Sequence, residues 1–324
     1  MYRDFFGLEE YPFNLTPDPK FLVVSPSYKE LLAGLYYGIE MARGLIVLTG
    51  EVGTGKTTAM RWIIRRLDIG VLASYIFNPH LSVEEFYHYL AGLLGVKEWS
   101  NKSELLSQLG QLLENRHQRG LRTILIVDEA HELSDEVLEE IRLLLNFESD
   151  TAKHLQVVLV GQPELTERLR QPNLRQLKQR VAFRCKLPVL VSVAEVEYYV
   201  NERLKTAGAL RTDIFTDSAF EFIFQCSAGI PRQINNLCDN ALLYAYSADS
   251  RTIDRKILEE VAANLDMLPD QDMLIGSDKS LDAVPQSPVL SAKGRHELVT
   301  EADNLPPIKE RNFRDFTLDR ERES

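Results

Sequence analysis

The sequence predicts an α/β fold in which a doubly wound parallel-sheet domain is followed by a smaller all-α domain. Three observations predict it. Four short apolar runs, Leu45–Thr49, Ala73–Phe77, Thr123–Val127 and Val157–Val160, each lead into polar residues and then a helical pattern. Short continuous β-branched runs separated by helices are what a parallel sheet covered on both faces requires. A glycine-rich loop, Gly50–Thr57, joins the first run to an apolar-faced helix carrying Ala59, Met60, Trp62, Ile63 and Leu67. After Pro188 only helical periods remain, over 193–207, 216–226, 231–247 and 254–265.

The elements follow in order. Residues 1–30 are rich in aromatics and prolines (Phe5, Phe6, Tyr11, Pro12, Phe13, Pro17, Pro19, Phe21, Pro26), which predicts an extended, packed arm rather than a helix. Ser27 is a candidate cap for a helix to about Arg43, with Leu31, Leu35, Ile39 and Ala42 near helical spacing. Helices are expected over 82–95, 102–119, 134–147 and 163–170. The expected domains are the arm at 1–30, the α/β domain at 31–190 and the helical domain at 191–268. Beyond it, 269–324 is dominated by Ser, Pro, Asp and Glu and has the composition of a disordered tail. No internal repeat is present.

Composition bounds the function. The 324 residues are 44% hydrophobic and 26% charged, an ordinary globular balance. The net charge of -11 disfavours general binding to polyphosphate backbones unless positive charge is concentrated locally. Three cysteines, Cys185, Cys226 and Cys238, match no metal or redox spacing and read as buried thiols in a reducing compartment. The N-terminus lacks the pattern of a signal peptide, and no apolar run approaches the roughly 20 residues of a membrane-spanning helix. The expected location is cytoplasmic.

The strongest chemical signal is Gly50-Glu51-Val52-Gly53-Thr54-Gly55-Lys56-Thr57, which fits GxxxxGK[ST] with a strand before it and a helix after it. Glycines let successive amides curl around an anion, and the helix points its positive end at the phosphates. Lys56 would contact the β- and γ-phosphates of ATP, and Thr57 would supply a hydroxyl to Mg²⁺. Thr58 is expected to face the nucleotide as well.

A second strand, Ile124–Val127, ends in Asp128-Glu129-Ala130-His131. Asp128 would hold Mg²⁺, mostly through water, and Glu129 would act as general base on the attacking water. The letters DEAH also mark a helicase group. No other helicase motif is present, so His131 reads as a neighbour of the site or as a satisfied histidine.

Further polar positions follow the strands. Gln162 suits a contact with the γ-phosphate and attacking water, the sensor 1 role. Asn78 suits restraint of Glu129, against the plainer reading of a turn residue before Pro79. The stretch from Arg168 to Ala194 has no acidic residue. Arg175 or Arg180 from that stretch is a candidate arginine finger acting in a neighbouring subunit, against a solvated basic face or a local DNA contact. Gly229-Ile230-Pro231-Arg232 opens a helix, with Pro231 at its first position. Arg232 is then the sensor 2 candidate, reaching the γ-phosphate, against pairing with Asp239.

These residues resemble a family. Phe6-Gly7-Leu8, the run Pro12–Leu22, Leu48–Thr58, Val127–His131, Ile141–Phe147, Gly161-Gln162-Pro163-Glu164-Leu165 and Gly229–Asn235 are similar to the ExeA (general secretion pathway protein A) AAA+ ATPases. The resemblance covers about 1–268. It implies a P-loop NTPase (AAA+) parallel-sheet domain with a C-terminal all-α lid domain, ATP hydrolysis, and ring-like or filamentous self-association. It also implies bacterial secretion or polysaccharide-export settings and a partner in the export machinery or membrane. ExeA itself continues into a membrane span and a peptidoglycan-binding domain, and neither is expected here. In that respect the chain is similar to the shorter exosortase-associated ATPases encoded with exopolysaccharide machinery. The aromatic arm, 2–21, is a candidate cover for the adenine.

The leading expectation is an ATP-driven oligomeric motor or assembly switch. The alternative is a DNA-associated AAA+ regulator of the transposition-helper type, against which stand the net charge and the lack of a DNA-reading module. A third is a nucleotide-dependent scaffold with slow turnover.

Overall fold

The computed structural model describes residues 2–269 apart from Arg43, Asn78, Pro79 and Thr212, together with Pro306. The expected tail and Asn78 therefore lie outside the described residues. In chain order the elements are α1 (Tyr2–Phe6), α2 (Pro26–Glu40), β1 (Leu45–Thr49), α3 (Lys56–Ile64), β2 (Leu72–Ile76), α4 (Val83–Leu94), α5 (Lys102–Gln118), β3 (Thr123–Val127), α6 (Asp135–Leu144), β4 (Gln156–Gly161), α7 (Glu164–Arg168), α8 (Arg175–Arg180), β5 (Val181–Lys186), α9 (Val193–Thr206), α10 (Asp217–Ser227), α11 (Pro231–Ser247) and α12 (Arg255–Asn264). Single 3-10 turns occur at Pro19–Phe21, Ala130–Glu132 and Pro172–Leu174.

Two compact units emerge. One contains 29–50 and 59–187 of the described chain, and the other contains 2–28, 51–58 and 188–269.

The first unit is the α/β unit. Its five described strands form one parallel sheet in the order β2-β3-β4-β1-β5. Every residue of β1, β3 and β4 is buried, which explains their unbroken apolar runs. The helices begin where their sequences offer side-chain acceptors. Ser82 and Glu85 form a reciprocal capping box at α4, Asn101 caps α5 and Ser134 caps α6. Phe86, Leu90, Leu105, Leu109, Val137 and Ile141 from these helices pack with Val127 and Leu159 in one core. α2 starts at Pro26, so Ser27 falls inside its first turn rather than capping it.

The fifth strand is an addition to the sequence pattern. β5 lies at the edge beside β1 and alternates between half-buried and exposed. A register shift at Leu45/Ile46 leaves Ala182 outside the pairing.

The second unit is helical and has its own core, in which Phe220, Ile223, Ile234, Leu237, Leu242 and Leu258 pack with Tyr2, Leu8, Phe13 and Phe21 of the arm. Ser192, Thr216 and Asp254 cap α9, α10 and α12. The arm is not wholly extended, because Tyr2–Phe6 forms a short helix and Pro19–Phe21 a 3-10 turn capped by Asp18. Pro19 opens that turn at a position that needs no amide donor.

Its anchor is Arg203 of α9, a buried guanidinium. Arg203 donates to the carbonyls of Pro12 (2.7 Å), Phe21 (3.3 Å) and Asn14 (3.4 Å) and to the Tyr199 hydroxyl (3.0 Å). The Tyr199 hydroxyl in turn donates to Asn235 Oδ1 of α11 at 3.0 Å. The three thiols are free. Cys238 is buried; Cys185 and Cys226 are half-buried as residues, with burial of the Cys185 thiol itself nearly complete, so only Cys226 departs from the expectation of buried thiols.

Candidate active site

The glycine loop belongs to the helical unit, although β1 leads directly into it. Gly53 and Gly55 have φ of +82° and +92°, backbone that only glycine adopts without strain. These angles turn successive amides inward into an anion-binding concavity. Thr54 is buried and clamps the loop by donating its hydroxyl to the Glu51 carbonyl at 2.8 Å. Lys56 is buried as well, and its Nζ donates to the same carbonyl at 3.1 Å. Lys56, Thr57 and Thr58 form the first turn of α3, where unsatisfied amides carry the positive helix end. Glu51 and Val52 are exposed on the loop.

The same unit brings Arg232 to this loop. The Arg232 N–H donates to the Gly53 carbonyl at 3.1 Å. A Cβ on Gly53 would lie 2.6 Å from Arg232 Cβ and 3.1 Å from Ile230 Cγ2, so the approach itself requires glycine. Pro231 sits at the start of α11, as its fixed φ favours. The turn before it depends on Gly229, at φ +71°, whose hypothetical Cβ would fall 1.8 Å from the Leu190 carbonyl oxygen. Asp239 accepts a hydrogen bond from the Tyr2 hydroxyl of the arm, which replaces the alternative of an Arg232–Asp239 pair.

In the α/β unit the acidic pair ends β3. Asp128 is buried at 5% exposure, which an unpaired carboxylate does not tolerate. Its Oδ2 accepts from the Tyr75 hydroxyl at 2.7 Å and its Oδ1 from the Glu129 N–H at 3.0 Å. Glu129 has left-handed backbone, φ +51°, a conformation costly for a residue with a Cβ and concentrated at functional positions. Its side chain is half exposed, yet Oε2 is buried with no hydrogen-bond partner. An orphaned carboxylate oxygen of this kind is suited to take a proton from water.

β4 lies between β3 and β1, and Gln162 follows its last residue, Gly161. The Gln162 N–H donates to His131 Nδ1 at 3.5 Å. Arg168 holds the turn after β3, donating to the carbonyls of His131 and Leu133, each at 2.6 Å, and to Asp135 at 2.5 Å. Of the basic stretch, Arg180 donates to Asn146 Oδ1 at 2.8 Å, while Arg175 is exposed at the start of α8. Tyr75, Arg168 and Arg203 carry no motif, and the sequence patterns do not reveal their roles.

The residues present fit ATP with Mg²⁺. In the helical unit the loop offers amides, one buried cation and the Thr57 hydroxyl; in the α/β unit Asp128 offers a hard oxygen. Among the described residues no cluster of three or more His, Cys, Asp or Glu forms a metal cage.

Known proteins share sequence and fold with this chain. An AAA domain family matches residues 39–169. The chain is 43% identical to General secretion pathway protein A of Aeromonas hydrophila over 256 residues, 78% of this chain and 46% of that protein. It thus spans less than half the length of that relative. It is 31% identical to ATP-dependent target DNA activator B of Escherichia phage Mu over 128 residues, 40% of this chain and 39% of that protein. Among solved structures, Cdc6p of Pyrobaculum aerophilum shares the fold at TM-score 0.60 and 15% identity, covering 94% of this chain and 86% of that one. Residues 39–169 thus resemble an AAA domain, and over 78% of its length the chain is similar to General secretion pathway protein A.

Proposed function

We propose that this ATPase couples ATP binding and Mg²⁺-dependent hydrolysis to self-assembly, acting as an oligomeric motor or assembly switch for a secretion or exopolysaccharide-export apparatus. The observation that carries the switch reading is the hydrogen bond from the Arg232 N–H to the Gly53 carbonyl. It joins the phosphate loop to the first turn of α11, so a loop that reshapes around a nucleotide displaces a helix of the helical unit.

ATP with Mg²⁺ would supply the phosphoryl group and neutralise the charge that develops on it. Lys56 and the loop amides would bind the β- and γ-phosphates, with Thr57 and Asp128 holding the ion. Glu129 would take the proton of the attacking water on Oε2. Gln162 and Arg232 would sense the γ-phosphate. Arg175 is the stronger candidate for action in a neighbouring subunit, since it is exposed whereas Arg180 is bonded to Asn146. No helix among the described residues is long and apolar enough to cross a membrane. Any membrane engagement is proposed to run through a partner.

The phage Mu relative supports a second reading, a DNA-associated regulator, with the basic stretch 168–186 as the contact. One experiment separates the two. Specific ATPase rate is measured against protein concentration for wild type, Arg175→Ala and Arg180→Ala, with and without DNA. A rate that rises with concentration and collapses in one arginine variant supports the shared-site motor. A rate flat with concentration and indifferent to both variants refutes it, and stimulation by DNA favours the regulator.

A further inference from the structure

The turn Ala130–Glu132 places one histidine between three functional groups. His131 Nδ1 lies 3.5 Å from Glu129 Oε2 and 3.5 Å from the Gln162 amide nitrogen. Its Nε2 lies 3.3 Å from Glu132 Oε1. The side chain is 7% exposed, so these neighbours and not water define its hydrogen bonding.

A single ring nitrogen cannot both accept from Gln162 and donate to Glu129. The carboxylate of Glu132 on the far side draws the ring proton to Nε2. Nδ1 is then a lone pair that accepts the Gln162 N–H and has no proton to offer Glu129. This tautomer leaves Oε2 of Glu129, which has no hydrogen-bond partner, unoccupied by the ring. The surroundings hold the ring in this place. Arg168 fixes the His131 carbonyl at 2.6 Å, and Gly161 gives the turn room, since a Cβ there would lie 3.3 Å from the His131 nitrogen.

We propose that His131 is a positioning residue that ties Gln162 to Glu129, holding the sensor backbone on Nδ1 while keeping the Glu129 carboxylate free to act as base. The proposal rests on the reading of Glu129 as the base of ATP hydrolysis. His131 touches neither nucleotide nor water in this role. When Gln162 shifts with the γ-phosphate, Nδ1 loses its donor, and the ring is free to turn its other tautomer toward Glu129 and occupy Oε2. The two hydrogen-bonding states exclude one another, so Glu129 is available only while Gln162 is in place.

The test is the ATPase activity of the full chain, with nucleotide affinity and melting temperature measured alongside. His131→Ala is expected to lower kcat by about 10²-fold, the scale of a misplaced catalytic group, while changing the ATP Kd less than about threefold. His131→Asn, whose amide oxygen falls near the Nδ1 position, is expected to recover most of that loss. His131→Gln, which reaches only the Nε2 position, is not. Wild-type kcat in His131→Ala overturns the proposal. So does equal rescue by Asn and Gln, or a loss of kcat matched by losses of affinity and melting temperature, because each describes a residue that only packs. Glu129→Gln serves as the separate control. If it hydrolyses ATP at the wild-type rate, the base assignment fails; if it is inactive while His131→Ala is not, only the positioning role fails.

Discussion

The anchor of the arm allows a quantitative prediction. Arg203→Met keeps an apolar stem against Phe21, whose ring lies 5.2 Å from the guanidinium carbon, and deletes every donor. Four hydrogen bonds are lost, but those to Phe21 and Asn14, at 3.3 and 3.4 Å, are too long to count fully. Of the other two, the bond to the Tyr199 hydroxyl at 3.0 Å lies within α9 and does not hold the arm, which leaves the charge-assisted bond to the Pro12 carbonyl at 2.7 Å. Such a bond contributes about 1.5–3 kcal/mol. Removing a buried cation also relieves its desolvation, so the lower end applies and the arm loses about 1.5 kcal/mol. That raises the open population of the arm by about 10-fold. The Glu9 N–H reports it, because it is bonded across to the Ala207 carbonyl at 2.8 Å. Amide hydrogen exchange of wild type and Arg203→Met should therefore show the protection of Glu9 falling by about one order of magnitude, with the amides of β1 and β3 unchanged. A change at Glu9 below about threefold would refute the claim that Arg203 fastens the arm. Equal loss in the sheet would mean that the substitution unfolds more than the arm.

Four further outcomes are expected. Gly229→Ala combines left-handed backbone with a Cβ 1.8 Å from the Leu190 oxygen, and should destabilise by about 3 kcal/mol or more in thermal or denaturant unfolding. Gly92→Ala, inside α4 with nothing within 4 Å of the added Cβ, should instead stabilise by about 0.5–1 kcal/mol. Lys56→Ala removes the buried cation of the glycine loop and should abolish tight ATP binding in calorimetry, unchanged affinity being incompatible with the loop's assigned role. Burial pushes the Cys185 thiol up to about 12 and that of Cys226 to about 11, so alkylation at neutral pH should be slow in the folded chain and fast in denaturant. The sign of the linked stability follows. Above the unfolded thiol pKa of about 8.5, the unfolded state releases protons that the native state retains, so stability falls as pH rises toward those values.

What the sequence discloses and what it hides have physical causes. β1, β3 and β4 are legible because burial on both faces demands uninterrupted apolar residues, and the glycine loop is legible because no other residue takes φ near +90° cheaply. Helix starts are legible where Ser82, Asn101, Ser134, Ser192, Thr216 and Asp254 accept from backbone amides two or three residues on. β5 is hidden for the converse reason. As an edge strand it need bury only part of each side chain, so Val181–Lys186 admits Arg184 and Lys186 and reads as basic loop. The long-range partners are hidden more deeply. Tyr75 reaches Asp128 from 53 residues away, and Arg203 reaches Pro12 from 191 away. A hydroxyl or guanidinium placed by the fold rather than by its neighbours leaves no local spacing to read. The same limit governs His131, which looks like one more polar residue after an acidic pair until β4 is laid beside β3 and brings Gln162 to its ring. Sequence thus discloses the glycine loop, since its backbone is special. The side chains proposed to decide when such a site acts are ordinary ones at the ends of adjacent strands, and only sheet order brings them together.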